Sequence, residues 1–142
     1  MLTYRVDAHR TDAHGSLALT KQAKITLDTD PAGRQDAFNP AEMLLASLAA
    51  CMLKSIERAA PMLDFHLSAV EVVVTAERQD SPPLLIRIVY EIAIETMETD
   101  HRIELLHTNV RKYGTISNTL RAATDLSGSM RRRSMLLSEP EP

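Results

Sequence analysis

The residue best suited to chemistry in this sequence is Cys51, the only cysteine among the 142 residues. It lies inside an apolar stretch that opens at Asn39-Pro40, and the small residues Ser47, Ala49 and Ala50 precede it. A cysteine reacts as the thiolate, which a nearby cation favours. A cysteine enclosed by apolar neighbours is inert and packs as a small hydrophobic residue. The residues alone therefore leave two interpretations of Cys51, a reactive thiol and a core side chain.

The histidines do not form a metal-binding pattern. His101 and His107 are six positions apart, so on a helix they point about 120° away from one another. His9 and His14 flank a loop, without a cysteine partner and without the spacing of zinc proteases. We therefore predict surface histidines, no metal and no cofactor, and we interpret Arg131–Arg133 as a solvated basic edge.

Length and composition are typical of one globular domain. The hydrophobic fraction is 44%, the charged fraction is 25% and the net charge is −3, so neither nucleic acid nor an anionic membrane is an expected partner. No segment approaches the ~20 apolar residues of a membrane span. The N-terminus lacks a signal-peptide pattern, and a lone cysteine suits a reducing compartment. We predict a cytoplasmic protein with one domain over residues 1–142 and a mobile tail at about 138–142.

Residues 39–60 should form a central helix. Asn39 can cap its first turn, Pro40 suits its first position, and Pro61 should end it. Residues 43–53 are apolar at nearly every position. A helix without a polar face is normally wrapped by other elements, so we expect burial on nearly all sides.

Two segments, 67–77 and 84–95, give the clearest strand pattern. In the second, the alternate residues from Ile86 to Ile94 are isoleucine or tyrosine, which predicts one buried face of a sheet. The central helix is the natural cover for that face.

Shorter elements are predicted on either side of this centre. At the N-terminal end we expect strands at 2–8, 16–19 and 24–27, a polar connection at 9–15 and a loop at 28–38. At the C-terminal end we expect a helix at 100–112 that buries Ile103, Leu106 and Val110 and ends at a left-handed Gly114. A second helix should follow at 115–124, capped by Thr115. A strand is expected around 130–137.

Two stretches together resemble the OsmC/Ohr superfamily, which comprises the osmotically inducible proteins and the organic hydroperoxide resistance proteins. The first is NPAEMLLASLAAC at 39–51. The second is ELLHTNVRKYGTISNTL at 104–120, which is similar to the family's second helix and its C-P-V-S-N-T-L-type motif. The resemblance covers about residues 38–124. It implies an α+β fold with an antiparallel sheet packed around a central hydrophobic helix, in an intertwined homodimer.

The resemblance also implies roles for particular residues. In active members one cysteine attacks a hydroperoxide and becomes a sulfenic acid, which a second cysteine captures as a disulfide. An arginine from the N-terminal region assists the first thiol. Cys51 matches the attacking cysteine, and Arg10 is the best match for the arginine, with Arg34 as its competitor. Gly114 stands at the position of the second cysteine, so internal disulfide formation is impossible.

The family's activating glutamate has no clear counterpart. It aligns with Ala41, and the nearest acid is Glu42. On a helix Glu42 lies about 180° from Cys51, so we do not expect the two side chains to meet.

Two functions are compatible with these residues. The first is a one-cysteine, thiol-dependent reductase of organic hydroperoxides in oxidative stress defence, in which Cys51 and Arg10 are catalytic and an external thiol is the reductant. The second is a catalytically silent OsmC-like dimer that binds a small hydrophobic ligand near Cys51.

Overall fold

The computed structural model describes residues 1–133, so the predicted tail at 138–142 lies outside the described residues. The elements, in chain order, are β1 (Asp7–Asp12), β2 (Gly15–Thr20), β3 (Ala23–Leu27), α1 (Pro40–Met62), β4 (Ala69–Gln79), β5 (Leu84–Glu95), α2 (Asp100–Tyr113), α3 (Thr115–Arg121) and β6 (Asp125–Arg132). Two three-stranded sheets and three helices make a mixed α+β fold. The predicted fold class is confirmed at this level.

The chain divides into two compact units, one from Met1 to Leu44 and the other from Leu45 onward. The single domain expected over residues 1–142 stays a prediction. Among residues 1–133, no helix is both long and apolar enough to cross a membrane.

In the first unit, β1, β2 and β3 form an antiparallel meander. β1 includes residues 9–12, which we had predicted as a polar connection, and that prediction was wrong. All six β1 residues are exposed, so no apolar alternation marks the strand in the sequence. Its hydrogen bonds to β2 and the turn in which Asp12 accepts from the His14 backbone N–H hold it in place.

In the second unit, β5 is the middle strand, with β4 antiparallel on one side and β6 parallel on the other. The predicted antiparallel sheet therefore needs correction at β6. Because α2 and α3 carry the chain back across the sheet, the last strand enters from the same end as β5. β6 also begins at Asp125, earlier than the strand predicted around 130–137, of which residues 134–137 lie outside the described range.

The core of the second unit joins α1, β5 and α2. The predicted isoleucine face is confirmed from Ile88 to Ile94, where the alternate residues are at most 3% exposed, but not at Ile86, which is 42% exposed. The buried residues of this face share one cluster with apolar residues of α1 and α2, namely Leu48, Met52, Ile56, Ile103, Leu106 and Val110. In a single chain α1 nevertheless buries one face only, because Leu44 and Leu53 are 37% and 39% exposed.

The C-terminal end of α1 differs from the prediction that Pro61 ends it. Pro61 lies inside the last turn, and the helix runs to Met62. Asp64 has the left-handed φ of 51°, its N–H bonds to the Pro61 carbonyl, and the Phe65 N–H bonds to the Ala60 carbonyl. This pattern is a Schellman motif, in which a left-handed residue terminates the helix.

The junction between α2 and α3 also corrects two predictions. Gly114 has φ −79° and ψ 120°, so it is extended and not left-handed. Thr115 is the first residue of α3 and not its cap; Gly114 is the N-cap and makes no side-chain hydrogen bond. The absence of a side chain at position 114 is explained by close packing, as described below.

Candidate active site around Cys51

Cys51 lies near the middle of α1 at the edge of its buried face. It is half-buried, whereas Leu48, three residues earlier, and Ser55, four residues later, are buried. Ala50 and Lys54 are exposed. Because residues three and four apart are neighbours on a helix, the thiol sits on the border between the core and the outer side of the helix. Cys51 is therefore a partly exposed residue and is not sealed in the core.

Gly114 packs directly against this sulfur. A Cβ atom built on Gly114 would lie 3.2 Å from the Cys51 Sγ and 3.1 Å from the Ser117 Oγ. The structure thus brings together residue 51 and residue 114, the two positions that the resemblance pairs as cysteines. Gly114 itself offers no thiol to Cys51.

Arg10 and Arg34, the two arginine candidates, both belong to the first unit, whereas Cys51 belongs to the second. Arg10 is an exposed β1 residue opposite Ser16, and it makes no ion pair with any residue in the range 1–133. Whether its guanidinium assists Cys51 stays a prediction.

Arg34 already has a structural role. Its guanidinium donates to both oxygens of Asp36 at 2.6 and 2.9 Å, which raises the pKa of Arg34 and lowers that of Asp36. Its backbone N–H donates to the buried Asp28 carboxylate. Arg34 therefore organises the loop between β3 and α1, whereas Arg10 makes no such ion pair within residues 1–133.

Glu42 forms a capping box with Asn39 at the start of α1. The Asn39 Oδ1 accepts from the Glu42 N–H at 2.8 Å, and Glu42 Oε1 accepts from the Asn39 N–H at 2.9 Å. These two bonds satisfy donors that the first turn leaves free. The prediction that Asn39 caps the helix is confirmed, and Glu42 is engaged in this cap.

The structure corrects the prediction that His107 is a surface histidine. Its Nε2 lies 2.6 Å from the Tyr90 hydroxyl, and the two rings meet edge to face. Burial lowers the pKa of His107, with a smaller contribution from Arg111, and burial raises the pKa of Tyr90. Burial thus favours the neutral form of both groups. No sequence pattern marked this pair, because its partners come from β5 and α2 and meet only in the folded sheet.

No group of three or more His, Cys, Asp or Glu side chains within residues 1–133 is arranged to hold a metal ion.

Comparison with known proteins identifies the family. The sequence profile described as "OsmC-like protein" matches residues 33–127, which is more than half of the chain. No curated protein matches the sequence.

Solved structures give the same result for the fold. An OsmC-like protein from Mycoplasma pneumoniae superposes with a TM-score of 0.86 at 24% identity, over 94% of this chain and 99% of that one. The organic hydroperoxide resistance protein OsmC of Legionella pneumophila gives 0.72 at 20% identity, over 94% and 98%. OhrB of Bacillus subtilis, an organic hydroperoxide resistance protein, gives 0.64 at 17% identity, over 91% and 98%. The solved structures thus share the fold, and the profile match over residues 33–127 shows that this chain belongs to the OsmC-like protein family.

Proposed function

We propose that this protein is a one-cysteine, thiol-dependent reductase of organic hydroperoxides that acts in oxidative stress defence. The observation that supports the proposal best is the half-buried Cys51 with glycine, and no second thiol, packed against its sulfur. Two structural neighbours are named organic hydroperoxide resistance proteins, which points to the same substrate class.

The reaction begins with attack by the Cys51 thiolate on the distal oxygen of the hydroperoxide. A sulfur–oxygen bond forms, the oxygen–oxygen bond breaks, and the alkoxide leaves and takes up a proton to become the alcohol. Cys51 is oxidised to the sulfenic acid, and the peroxide is reduced.

An external thiol then restores Cys51. Its sulfur attacks the sulfenic sulfur, water leaves, and a mixed disulfide forms. A second equivalent of the external thiol attacks that disulfide, so the free Cys51 thiol returns and the two reductant molecules leave as their disulfide. Gly114 makes the external reductant necessary, because the chain has no other cysteine. A cytoplasmic location, where small thiols are kept reduced, belongs to the same proposal.

Arg10 is proposed to favour the thiolate through its guanidinium. Its lack of an ion pair within residues 1–133 supports this role, since a cation already paired with a carboxylate has less charge to offer. Arg34, which is paired with Asp36, is the matched alternative.

The test uses one equivalent of cumene hydroperoxide on wild type and Cys51→Ser. Intact mass and residual peroxide are followed, first without and then with an excess of a small monothiol. We expect wild type to gain one oxygen atom and, with monothiol, to consume peroxide repeatedly, whereas Cys51→Ser does neither. Equal slow rates for the two proteins would remove the enzymatic proposal.

The arginine assignment is tested with Arg10→Gln and Arg34→Gln under the same conditions. Loss of one preorganised electrostatic contact lowers rates on the order of a hundredfold, and we expect this loss for Arg10→Gln. Arg34→Gln should keep the rate of oxidation, although it loosens the β3–α1 loop. The reverse pattern would transfer the role to Arg34.

The second candidate function is that of a catalytically silent dimer that binds a small hydrophobic ligand. The exposure of Leu44 and Leu53 on the helix that carries Cys51 favours it, because these apolar side chains gain from an apolar partner. A thermal shift with fatty acids but none with peroxides, kept in Cys51→Ser, would support this function. No shift across a broad lipid panel would contradict it.

The homodimer expected for the family is also part of the proposal. Large apolar side chains that are more than half exposed in one chain support it, among them Leu2, Tyr4, Val6 and Phe38. Sedimentation equilibrium should give twice the 15.8 kDa of the chain. A single-chain mass at every concentration would contradict the dimer.

A further inference from the structure

A small cavity in the second unit lies between α1, the β5–β6 strands and the α2–α3 helices. We name it the arginine cavity; its polar wall is formed by Tyr90, Arg111, Ser117, Arg121 and Ser127. Its volume is about 130 Å³. At about 30 Å³ per molecule of liquid water, that is space for roughly four waters. The cavity therefore suits a small ion or a single functional group, and not a drug-sized ligand.

Two guanidinium groups give this cavity a positive charge. Within residues 1–133, neither Arg111 nor Arg121 forms an ion pair with a carboxylate. Arg121 instead donates to Asn118 Oδ1 at 2.8 Å and to the backbone carbonyl of Arg111 at 3.1 Å. These neutral acceptors hold the Arg121 side chain beside the Arg111 backbone without cancelling its charge. Burial raises the pKa of Tyr90, and both arginines act in the opposite direction with a smaller effect.

The third feature is the hydroxyl of Ser117. The residue is 1% exposed, and its Oγ is the buried side-chain atom without a hydrogen-bond partner among residues 1–133. A buried polar group that lacks a partner costs stability, so such atoms are uncommon and call for an explanation. A hydroxyl can donate to an anion, and Ser117 is among the residues that line the same cavity as Arg111 and Arg121.

From these three features we propose that the arginine cavity binds a small oxyanion. Arg111 and Arg121 supply the charge, and the hydroxyl of Ser117 donates a hydrogen bond to one of the anion's oxygens. Guanidinium groups match the geometry of phosphate and carboxylate oxygens, which makes these two the chemical classes to test. The inference does not depend on the proposed peroxide chemistry, because no step of it uses the Cys51 sulfur.

The test measures the thermal midpoint while sodium phosphate, sodium acetate or sodium chloride is added at matched ionic strength. Wild type is compared with Arg121→Gln, Ser117→Ala and the control Lys112→Gln. Lys112 lies on α2 next to Arg111, is exposed and does not line the cavity, so its substitution removes one charge from the same region. A ligand that binds the folded state raises the midpoint in a saturable way.

We expect a saturable rise with phosphate or acetate that chloride does not reproduce. A rise with phosphate alone would assign the site to free phosphate or a phosphoryl group, and a rise with acetate alone to a carboxylate. Affinity should fall on the order of tenfold in Arg121→Gln, because charge-assisted hydrogen bonds are lost, and it should be unchanged in Lys112→Gln.

Ser117→Ala separates a ligand role from a structural one. Without any added anion this variant should be at least as stable as wild type, since it removes an unpartnered buried hydroxyl. Its response to the anion should nevertheless be weaker. The same response in all four proteins, a response that chloride reproduces, or no response to either oxyanion would overturn the proposal.

Discussion

At the scale of single residues, the contact between Gly114 and Cys51 leads to a direct prediction. A Cβ at position 114 would be 3.2 Å from the Cys51 sulfur, close enough for a cysteine there to form a disulfide with small shifts of its neighbours. We expect Gly114→Cys to lose both free thiols on mild oxidation. The disulfide should stabilise the oxidised protein over its reduced form by about 2–4 kcal/mol, as measured by urea unfolding.

Gly114→Ser is the matched control for this variant. It adds nearly the same volume beside Ser117 and Val110 but no thiol, so it reports the cost of crowding alone. If Gly114→Cys keeps two titratable thiols after oxidation while Gly114→Ser folds normally, the two positions are not aligned as the structure has them.

Single residues also show where sequence reasoning succeeds and where it stops. The pairing of Cys51 with position 114 followed from two short motifs that resemble a family, and the structure places the two positions in contact. His107 was misjudged because a helical wheel describes one helix and not the β5 tyrosine that the histidine meets. The motif that contains Ser117 does not predict its burial, since nothing in a sequence shows that a hydroxyl will be buried without a partner.

At the scale of elements, the end of α1 depends on Asp64 in a left-handed conformation. Most residues other than glycine pay about 1–2 kcal/mol for that conformation, and aspartate is among the more tolerant. We expect Asp64→Gly to raise the free energy of unfolding by roughly 0.5–1 kcal/mol. Asp64→Ala should lower it, because alanine has the Cβ but lacks a side chain that can hydrogen-bond locally. A loss of stability in Asp64→Gly would contradict the Schellman assignment.

The two faces of the β4–β6 sheet should respond differently to truncation. Ile92 is 1% exposed and belongs to the core cluster, so Ile92→Ala should cost about 2–5 kcal/mol. Val73 on β4 is 51% exposed, and Val73→Ala should change stability by less than about 0.5 kcal/mol. Chemical denaturation of both variants checks the contrast, and similar losses would mean that the outer face is covered in solution.

The sequence predicts well those elements whose apolar residues recur with a regular period. It does not predict those strands that exist mainly because they hydrogen-bond to a partner strand. β4, β5 and α2 carry periodic patterns that follow from burial. β1 is polar and exposed, and it is a strand only because β2 lies beside it. β6 was predicted too late in the chain, because its register depends on the parallel partner β5 and local patterns do not encode that partner.

At the scale of the whole molecule, the shifted pKa values predict how stability varies with pH. Burial lowers the pKa of His107 in the folded state. The contribution of His107 to the free energy of unfolding is therefore complete above its unfolded pKa of 6.5, and it is lost as the pH falls through its folded pKa. Burial raises the pKa of Tyr90 in the folded state. The contribution of Tyr90 to the free energy of unfolding is therefore complete below its unfolded pKa of 10.0, and it is lost as the pH rises through its folded pKa. Hydrogen bonds lower the pKa of Glu98, Asp30 and Asp36, whose contributions are lost only in stronger acid.

We therefore expect stability to be greatest between the His107 and Tyr90 transitions, at about pH 7 to 9. His107→Gln keeps a side chain that can bond to Tyr90 but does not titrate. Urea unfolding at about pH 7.5 and about pH 5.5 should show a smaller acid loss for this variant than for wild type. Equal losses in the two proteins would mean that His107 does not govern how the free energy of unfolding changes between about pH 5.5 and about pH 7.5.

The parallel pairing of β6 has a consequence for synthesis. Until Arg132 has left the ribosome, β5 is paired only with β4, and its other edge presents free backbone groups beside an isoleucine-rich face. The parallel pairing of β5 with β6 should form late, because α2 and α3 separate the two strands in the chain and contacts between distant residues form slowly. A nascent or truncated chain that stops before Asp125 is thus the form most exposed to aggregation and most in need of a chaperone.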